Sequence, residues 1–180
     1  QEGLVSPDTV FDDVYTSVRI GDATYEDAED HAPTMSVTEI LAHSSNVGTI
    51  KIARMLGSAR FDQYLRGFGF GHTTGVGLPG EAAGTVYALD QYNETTLASS
   101  AIGYSIGVTA LQMLDVYATI ANGGTSRPPR IVAATVDAQG NRLDVPLAAP
   151  RQVISSTTAK AVTGMMQKVV DIGTGTKAAI

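Results

Sequence analysis

Three consecutive residues, Ser44-Ser45-Asn46, set two hydroxyls and a carboxamide side by side between two stretches of helical periodicity. A hydroxyl donates and accepts a hydrogen bond together, and a carboxamide offers two donors and an acceptor. Such groups can relay a proton and hold a polar part of a substrate. The bland account of the same residues is a helix cap, since Ser and Asn are both favoured at N-cap positions. Acyl transfer would demand more: an activated nucleophile, a base and an oxyanion site. A serine hydroxyl does not attack an amide near neutral pH until a base takes its proton. The three histidines, His31, His43 and His72, lie on or beside loops, and none has a recognisable Asp partner in the sequence. His43, next to the serine pair, reads as a surface or capping residue.

Composition narrows the classes. The chain has 180 residues, 43% hydrophobic and 17% charged, which suits one globular unit with a substantial core. Its net charge is −6, and no cluster of Lys and Arg offers a nucleic-acid footprint, so no nucleic-acid partner is expected. Cysteine is absent, which excludes disulfides, thiol catalysis and cysteine metal sites. No metal and no cofactor are expected. No run of 18 apolar residues occurs, so any membrane attachment is expected through an anchor outside this segment. The chain opens at Gln1 and closes on Lys177-Ala-Ala-Ile180, and the expectation is a piece of a longer protein.

The elements that must position the serine–asparagine stretch follow from local signals. Residues 1–36 are irregular with short β-like runs at Val10-Phe11 and Tyr15–Ile20, and Tyr25–His31 reads as an acidic, solvated stretch. Ser36-Val-Thr-Glu39 has the capping-box form and predicts a helix to about His43. A second helix carries Val47, Ile50, Ile52, Ala53, Met55 and Leu56 and stops at Gly57. A third begins with a cap at Ser58 and carries Phe61, Tyr64 and Leu65 on one face. The glycine-rich stretch 67–84 contains a literal G-x-G-x-x-G at Gly75–Gly80, but no strand precedes it and no apolar helix follows. It is therefore expected to be an ordered loop that uses positive φ, not a dinucleotide site. A short helix over Thr95–Ile102, a helix capped by Thr109, a strand over 131–136 with a return over 142–145, and a last helix capped by Ser156 or Thr157 complete the reading. Asn93-Glu94-Thr95 is a glycosylation sequon in form only. The expected organisation is one partial domain over 1–180: 1–36 irregular, 37–124 a helical subdomain, 130–145 a hairpin and 156–170 a helix.

Read in order, these residues resemble the middle of the transpeptidase domain of class B penicillin-binding proteins. The carriers are Val37–Gly48, Phe68-Gly-Phe-Gly71, Thr74-Gly75, Leu78-Pro-Gly-Glu81, Ala101–Thr109 with Leu111-Gln112, Tyr117-Ala118, Ile120–Gly124 and Arg127-Pro128. Thr24–His31 is further similar to the FtsI-like, cell-division branch of actinobacteria. The resemblance implies an α+β, mainly helical part of the penicillin-binding protein and serine β-lactamase-like fold. In that family Ser-x-Asn is the second of three motifs. The first, Ser-x-x-Lys, and the third, Lys-Thr-Gly, are both absent here; Thr157-Thr-Ala-Lys160 is only a Thr-led copy, out of order. The chain fits between the two, and its last helix would lead toward the third.

The resemblance also assigns roles. Ser44 would relay a proton between the first motif's lysine and the leaving amine. Asn46 would bond that lysine and orient the substrate's side-chain amide, and Ser45 would be structural. Tyr104, in a Gly-x-Gly-like turn that has Ser105 where many relatives have Gly, would wall the cleft beside the acyl group; a packed core Tyr is the competing account. The implied partners are peptidoglycan stem peptides, β-lactam antibiotics, and division or elongation machinery, at the outer face of the bacterial membrane. The alternatives are a non-catalytic sensor or scaffold with the same fold, a carboxypeptidase or β-lactamase that uses water as acceptor, and a plain helical interaction module.

Overall fold

The computed structural model describes residues 1–179; Ile180, the end of the closing run noted above, lies outside the described residues. The fold is α+β, with six α-helices and four two-stranded antiparallel ribbons among those residues. Strand β1 (Val10–Phe11) pairs with β4 (Met35–Ser36), and β2 (Ser17–Ile20) with β3 (Ala23–Glu26). Helix α1 (Val37–Ala42) continues directly from β4, and α2 (Asn46–Leu56) and α3 (Ser58–Gly67) follow. Helices α4 (Glu94–Ala101) and α5 (Ala110–Ala121) lie beyond the glycine-rich loop. Strand β5 (Thr125–Ser126) pairs with β8 (Arg151–Gln152), and β6 (Ala134–Val136) with β7 (Arg142–Asp144). Helix α6 (Ser156–Asp171) packs on α1.

Local capping explains where most helices start. The Ser36 hydroxyl accepts from the Glu39 N–H at 3.2 Å while the Glu39 carboxylate accepts from the Ser36 N–H at 2.7 Å, the reciprocal capping box. Thr109 and Gln112 form a second such box at α5. Three caps differ from expectation. Helix α6 is capped by Ser155, one residue early, through Thr158 N–H at 3.1 Å. Ser58 lies inside α3, which has Gly57 at its N-cap and no side-chain cap. Asn93 of the sequon-like triplet caps α4, accepting from Thr96 N–H at 2.8 Å. The strand expected over 131–136 shortens to β6, whose ladder with β7 begins at Ala134, with Val145 N–H donating to the Ala133 carbonyl at 3.0 Å just before it.

Two apolar clusters anchor α2. Val14, Met35, Ile40 and Val47 form one; Ile20, Tyr25, Ile50 and Ala98 form the other. Ile40 and Ile50 are only 2% and 1% exposed, each contributing about 1.5–3 kcal/mol by removal from water. Helices α1 and α2 touch at Gly48, where an added Cβ would come within 2.6 Å of the Ile40 side chain. The glycine-rich loop is ordered as expected, with Gly75, Gly77 and Gly80 all at positive φ. Thr74 ties it to Glu81, its N–H and hydroxyl donating to the carboxylate at 2.7 and 2.6 Å. Gln112, 1% exposed, pins the loop to α5 by donating to the carbonyls of His72 and Ala83, both at 2.8 Å.

Candidate active site

The turn between α1 and α2 splits the serine pair between two tasks. Ser45 N–H donates to the Ile40 carbonyl at 3.0 Å and Ser44 N–H to the Leu41 carbonyl at 3.2 Å. With His43 as C-cap, this is the Schellman pattern of a helix end, and Ser44 holds its left-handed position at φ 56°. Glycine is the usual occupant there. Ser44 is the one non-glycine residue at positive φ among the described residues, and for an L-residue that conformation costs roughly 1–2 kcal/mol. Such strain persists where the surrounding structure over-determines it. The Ser44 side chain is exposed and has no hydrogen-bond partner among the described residues.

Ser45 begins the next helix. It is only 2% exposed and caps α2, its hydroxyl accepting from Gly48 N–H at 2.9 Å. The same hydroxyl donates to Asp27 Oδ2 at 2.6 Å. Asn46 opens α2, and its Nδ2 donates to the Glu26 carbonyl at 2.7 Å. Its second amide proton and its Oδ1 take no partner among the described residues.

The acidic stretch before these residues is exposed at Glu26 and over 28–30, as the sequence suggested, but not at Tyr25 or Asp27. Tyr25 is only 7% exposed and the Asp27 side chain only 3%. Asp27 Oδ1 accepts from Val47 N–H at 2.9 Å. Its Oδ2 accepts from Ser45 and, at 2.7 Å, from His31 Nε2. His31 therefore does have an aspartate partner, contrary to expectation, and its Nδ1 lies 2.9 Å from the Ala32 carbonyl. Both ring nitrogens face acceptors, which suits the doubly protonated imidazolium. The Ala32 carbonyl and the Asp27 carboxylate together raise the His31 pKa above its ordinary value. Burial alone would raise the Asp27 carboxyl, but hydrogen bonds from Ser45, Val47, His31 and Asn46 outweigh it and hold the group below the usual range. The carboxylate sits between the serine and the imidazole, so His31 cannot take the Ser45 proton as the base of a triad would. Asp27 was missed because Ser45 and Val47 lie 18 and 20 residues on; the i, i+4 spacing of Asp27 and His31 was the only local hint of the pair.

His43 is an exposed C-cap, and His72 an exposed loop residue. Tyr104 follows Gly103 (φ 85°), donates its N–H to the Ser99 carbonyl at 2.9 Å, and exposes 77% of its surface. It is not a packed core residue. Lys51 is engaged by Asp13 and lies 5.2 Å above the Phe11 ring, and Lys160 is exposed on α6, so neither is bonded to the serine–asparagine turn. Among the described residues no group of three His, Asp or Glu side chains is placed to hold a metal ion.

The family model for the penicillin-binding protein transpeptidase domain matches residues 1–180. The chain belongs to this family. As a transpeptidase-domain chain it is 42% identical over 171 residues to penicillin-binding protein PbpB of Mycobacterium tuberculosis, covering 94% of this chain and 25% of that protein. It is 34% identical over 182 residues to the peptidoglycan D,D-transpeptidase FtsI of Escherichia coli, covering 100% of this chain and 29% of that protein. The transpeptidase-domain fold superimposes on crystal structures of penicillin-binding protein 3 from M. tuberculosis, in complexes with aztreonam and with ampicillin. Each has a TM-score of 0.93 and 41% identity, over 99% of this chain and 41% of the other. The chain thus spans 25–29% of the length of these two curated relatives.

Proposed function

We propose that this chain is the Ser-x-Asn part of a serine-type peptidoglycan D,D-transpeptidase of the cell-division class. The observation that carries the reading is Ser44: a strained, exposed serine at a helix junction, in a family transpeptidase domain, with Asn46 beside it and its hydroxyl unclaimed. The nucleophile is a serine outside these 180 residues, since Ser-x-x-Lys is absent from them. In acylation that serine's hydroxyl gives its proton to the motif's lysine and attacks the carbonyl of a stem-peptide D-Ala–D-Ala bond. Ser44 passes the proton on to the departing D-alanine amine, which leaves as the C–N bond breaks. In the second half an amine of a neighbouring stem peptide attacks the ester, and the proton returns by the same relay. Asn46 Oδ1 accepts from the lysine ammonium, and the amide proton not spent on Glu26 donates to the substrate's side-chain amide. Exposed Tyr104 forms a wall beside the acyl group. A β-lactam enters the same path and stays as the ester, which fits the antibiotics found with the M. tuberculosis relative.

The reading places the active site on the outer face of the bacterial membrane, held by an anchor outside this segment. Among the described residues no helix is long and apolar enough to cross a membrane. Division proteins are the expected partners. The test is covalent labelling by a fluorescent penicillin. In the full-length protein Ser44→Ala and Asn46→Ala should lower the acylation rate by roughly 10²–10⁴ for the proton-relay step. The 180-residue chain alone should remain unlabelled. Stable labelling of that chain, or wild-type rates in both variants, overturns the proposal.

A further inference from the structure

The contacts around the turn point to a residue outside the Ser-x-Asn motif that governs it. Residues 26 and 27 grip three consecutive positions of the turn. The Glu26 carbonyl takes Asn46 Nδ2, Asp27 Oδ2 takes the Ser45 hydroxyl, and Asp27 Oδ1 takes the Val47 N–H. All three bonds span 18 to 20 residues of sequence, so they are tertiary and do not come with the helix. Each lies between 2.6 and 2.9 Å. The Asp27 side chain is nearly closed off from solvent, and its outer oxygen is oriented by His31. Because Ser45 is flanked by both candidate chemical groups, any rotation of the first turn of α2 moves Ser44 and Asn46 together.

We infer that Asp27, held by His31, is a positioning residue for acyl transfer: it fixes the first turn of α2 through Ser45 and Val47 and thereby sets where the Ser44 hydroxyl and the Asn46 carboxamide point. This rests on the transpeptidase reading above. Asp27 itself touches neither substrate nor the reacting atoms. Both of its oxygens are engaged, Oδ2 twice, and its side chain is only 3% exposed, so it is closed off from a substrate. Its effect must pass through the turn. A shift of about 1 Å in a catalytic group is enough to cost on the order of a hundredfold in rate.

The experiment follows labelling of the full-length protein by a fluorescent penicillin and separates two quantities. The amplitude counts folded, competent molecules; the acylation rate constant at saturation reports their geometry. Asp27→Asn keeps size and removes charge, so Ser45 and His31 lose their shared anion. The expected result is a rate constant lower by roughly ten- to a hundredfold in the molecules that do react. Against an Asn46→Ala background the same change should cost less than in the wild type, because one of the two groups it positions is gone. His31→Gln leaves Asp27 in place and should lower the rate constant by a smaller factor. It also decides the matter if Asp27→Asn does not fold. A reduced amplitude with a wild-type rate constant in Asp27→Asn or, where that variant yields no folded protein, in His31→Gln, overturns the inference and leaves Asp27 a purely structural buried acid. Full additivity with Asn46→Ala does the same. Wild-type rates in Ser44→Ala and Asn46→Ala would instead strike the transpeptidase reading itself, so the two failures are distinct.

Discussion

Ser44→Gly should make the protein more stable and less active at once. Ser44 sits at φ 56°, where an L-residue pays roughly 1–2 kcal/mol that glycine does not. Glycine gives back about 0.4–1 kcal/mol through the greater freedom of its unfolded chain. No folded-state contact of the hydroxyl is lost, since it has no partner among the described residues. The net gain is up to about 1.6 kcal/mol, centred at about 0.8 kcal/mol, or a rise of about 2–3 °C at that centre in the melting midpoint for a domain of 150–250 residues. Ser44→Ala is the matched control, because it also lacks the hydroxyl but keeps the Cβ and with it the strain. It should melt near the wild type and below Ser44→Gly. Both variants should acylate slowly, by the same roughly 10²–10⁴ that a lost proton relay costs. Thermal melts and penicillin labelling of the two variants read the two axes separately. A Ser44→Gly protein that melts below Ser44→Ala would refute the strain argument. One that acylates at the wild-type rate would refute the role of the hydroxyl.

Gly48→Ala should destabilise by about 1–3 kcal/mol in chemical denaturation, because the new methyl enters the Ile40 side chain at 2.6–2.8 Å; a neutral result would mean α1 and α2 can part freely. Gln112→Ala should cost roughly 2 kcal/mol by stranding the carbonyls of His72 and Ala83, and limited proteolysis should then cut first within the loop over residues 72–84. His31→Gln should show a pH-dependent cost. The His31 pKa is raised on folding, so the stability it supplies is full below its unfolded value of about 6.5 and is lost as pH climbs through the raised value. Denaturant midpoints of wild type and variant should therefore differ most near pH 6 and converge in alkaline buffer; a gap that widens with pH contradicts the imidazolium. Asp27 works in the opposite sense. Its pKa is lowered, so its contribution holds above about 3.9 and falls away as acid takes the pH through the depressed value.

The parts of this fold legible in the sequence are those whose cause is local. Ser36 with Glu39 and Thr109 with Gln112 are reciprocal pairs three residues apart, and both boxes form where their spacing says. The periodic apolar faces of α2 and α6 likewise need no distant partner to be recognised. What the sequence hid depends on separation. Asp27 lies in a run of acids that looks like surface, and only the β2–β3 hairpin brings its carboxylate under the start of α2. The plain reading of Ser-Ser-Asn as a cap was correct for Ser45 alone. Ser44 serves the preceding helix, at a position where composition would have asked for glycine, and no local pattern announces a residue placed against its own conformational preference.

Three segments converge on the stretch from Ala42 to Val47, and each meets a different demand of the backbone. The Ala42 carbonyl, one of the four orphans at the end of α1, is taken by Thr174 N–H at 3.1 Å just past α6. Gly173 permits that approach, for a Cβ there would collide with the same carbonyl. The open N–H groups of α2 at Val47 and Gly48 are met by Asp27 and Ser45. With these bonds made, the backbone of the turn is held from the α1 side, the α6 side and the β3 side at once. Among the side chains of Ser44, Ser45 and Asn46, the polar capacity left over belongs to the Ser44 hydroxyl and to the second amide proton and Oδ1 of Asn46. Those are the two groups that acyl transfer would use. The surrounding bonds can therefore hold a serine in a strained conformation without giving its hydroxyl a structural partner, and that is the condition a proton relay requires: a fixed position with free valence.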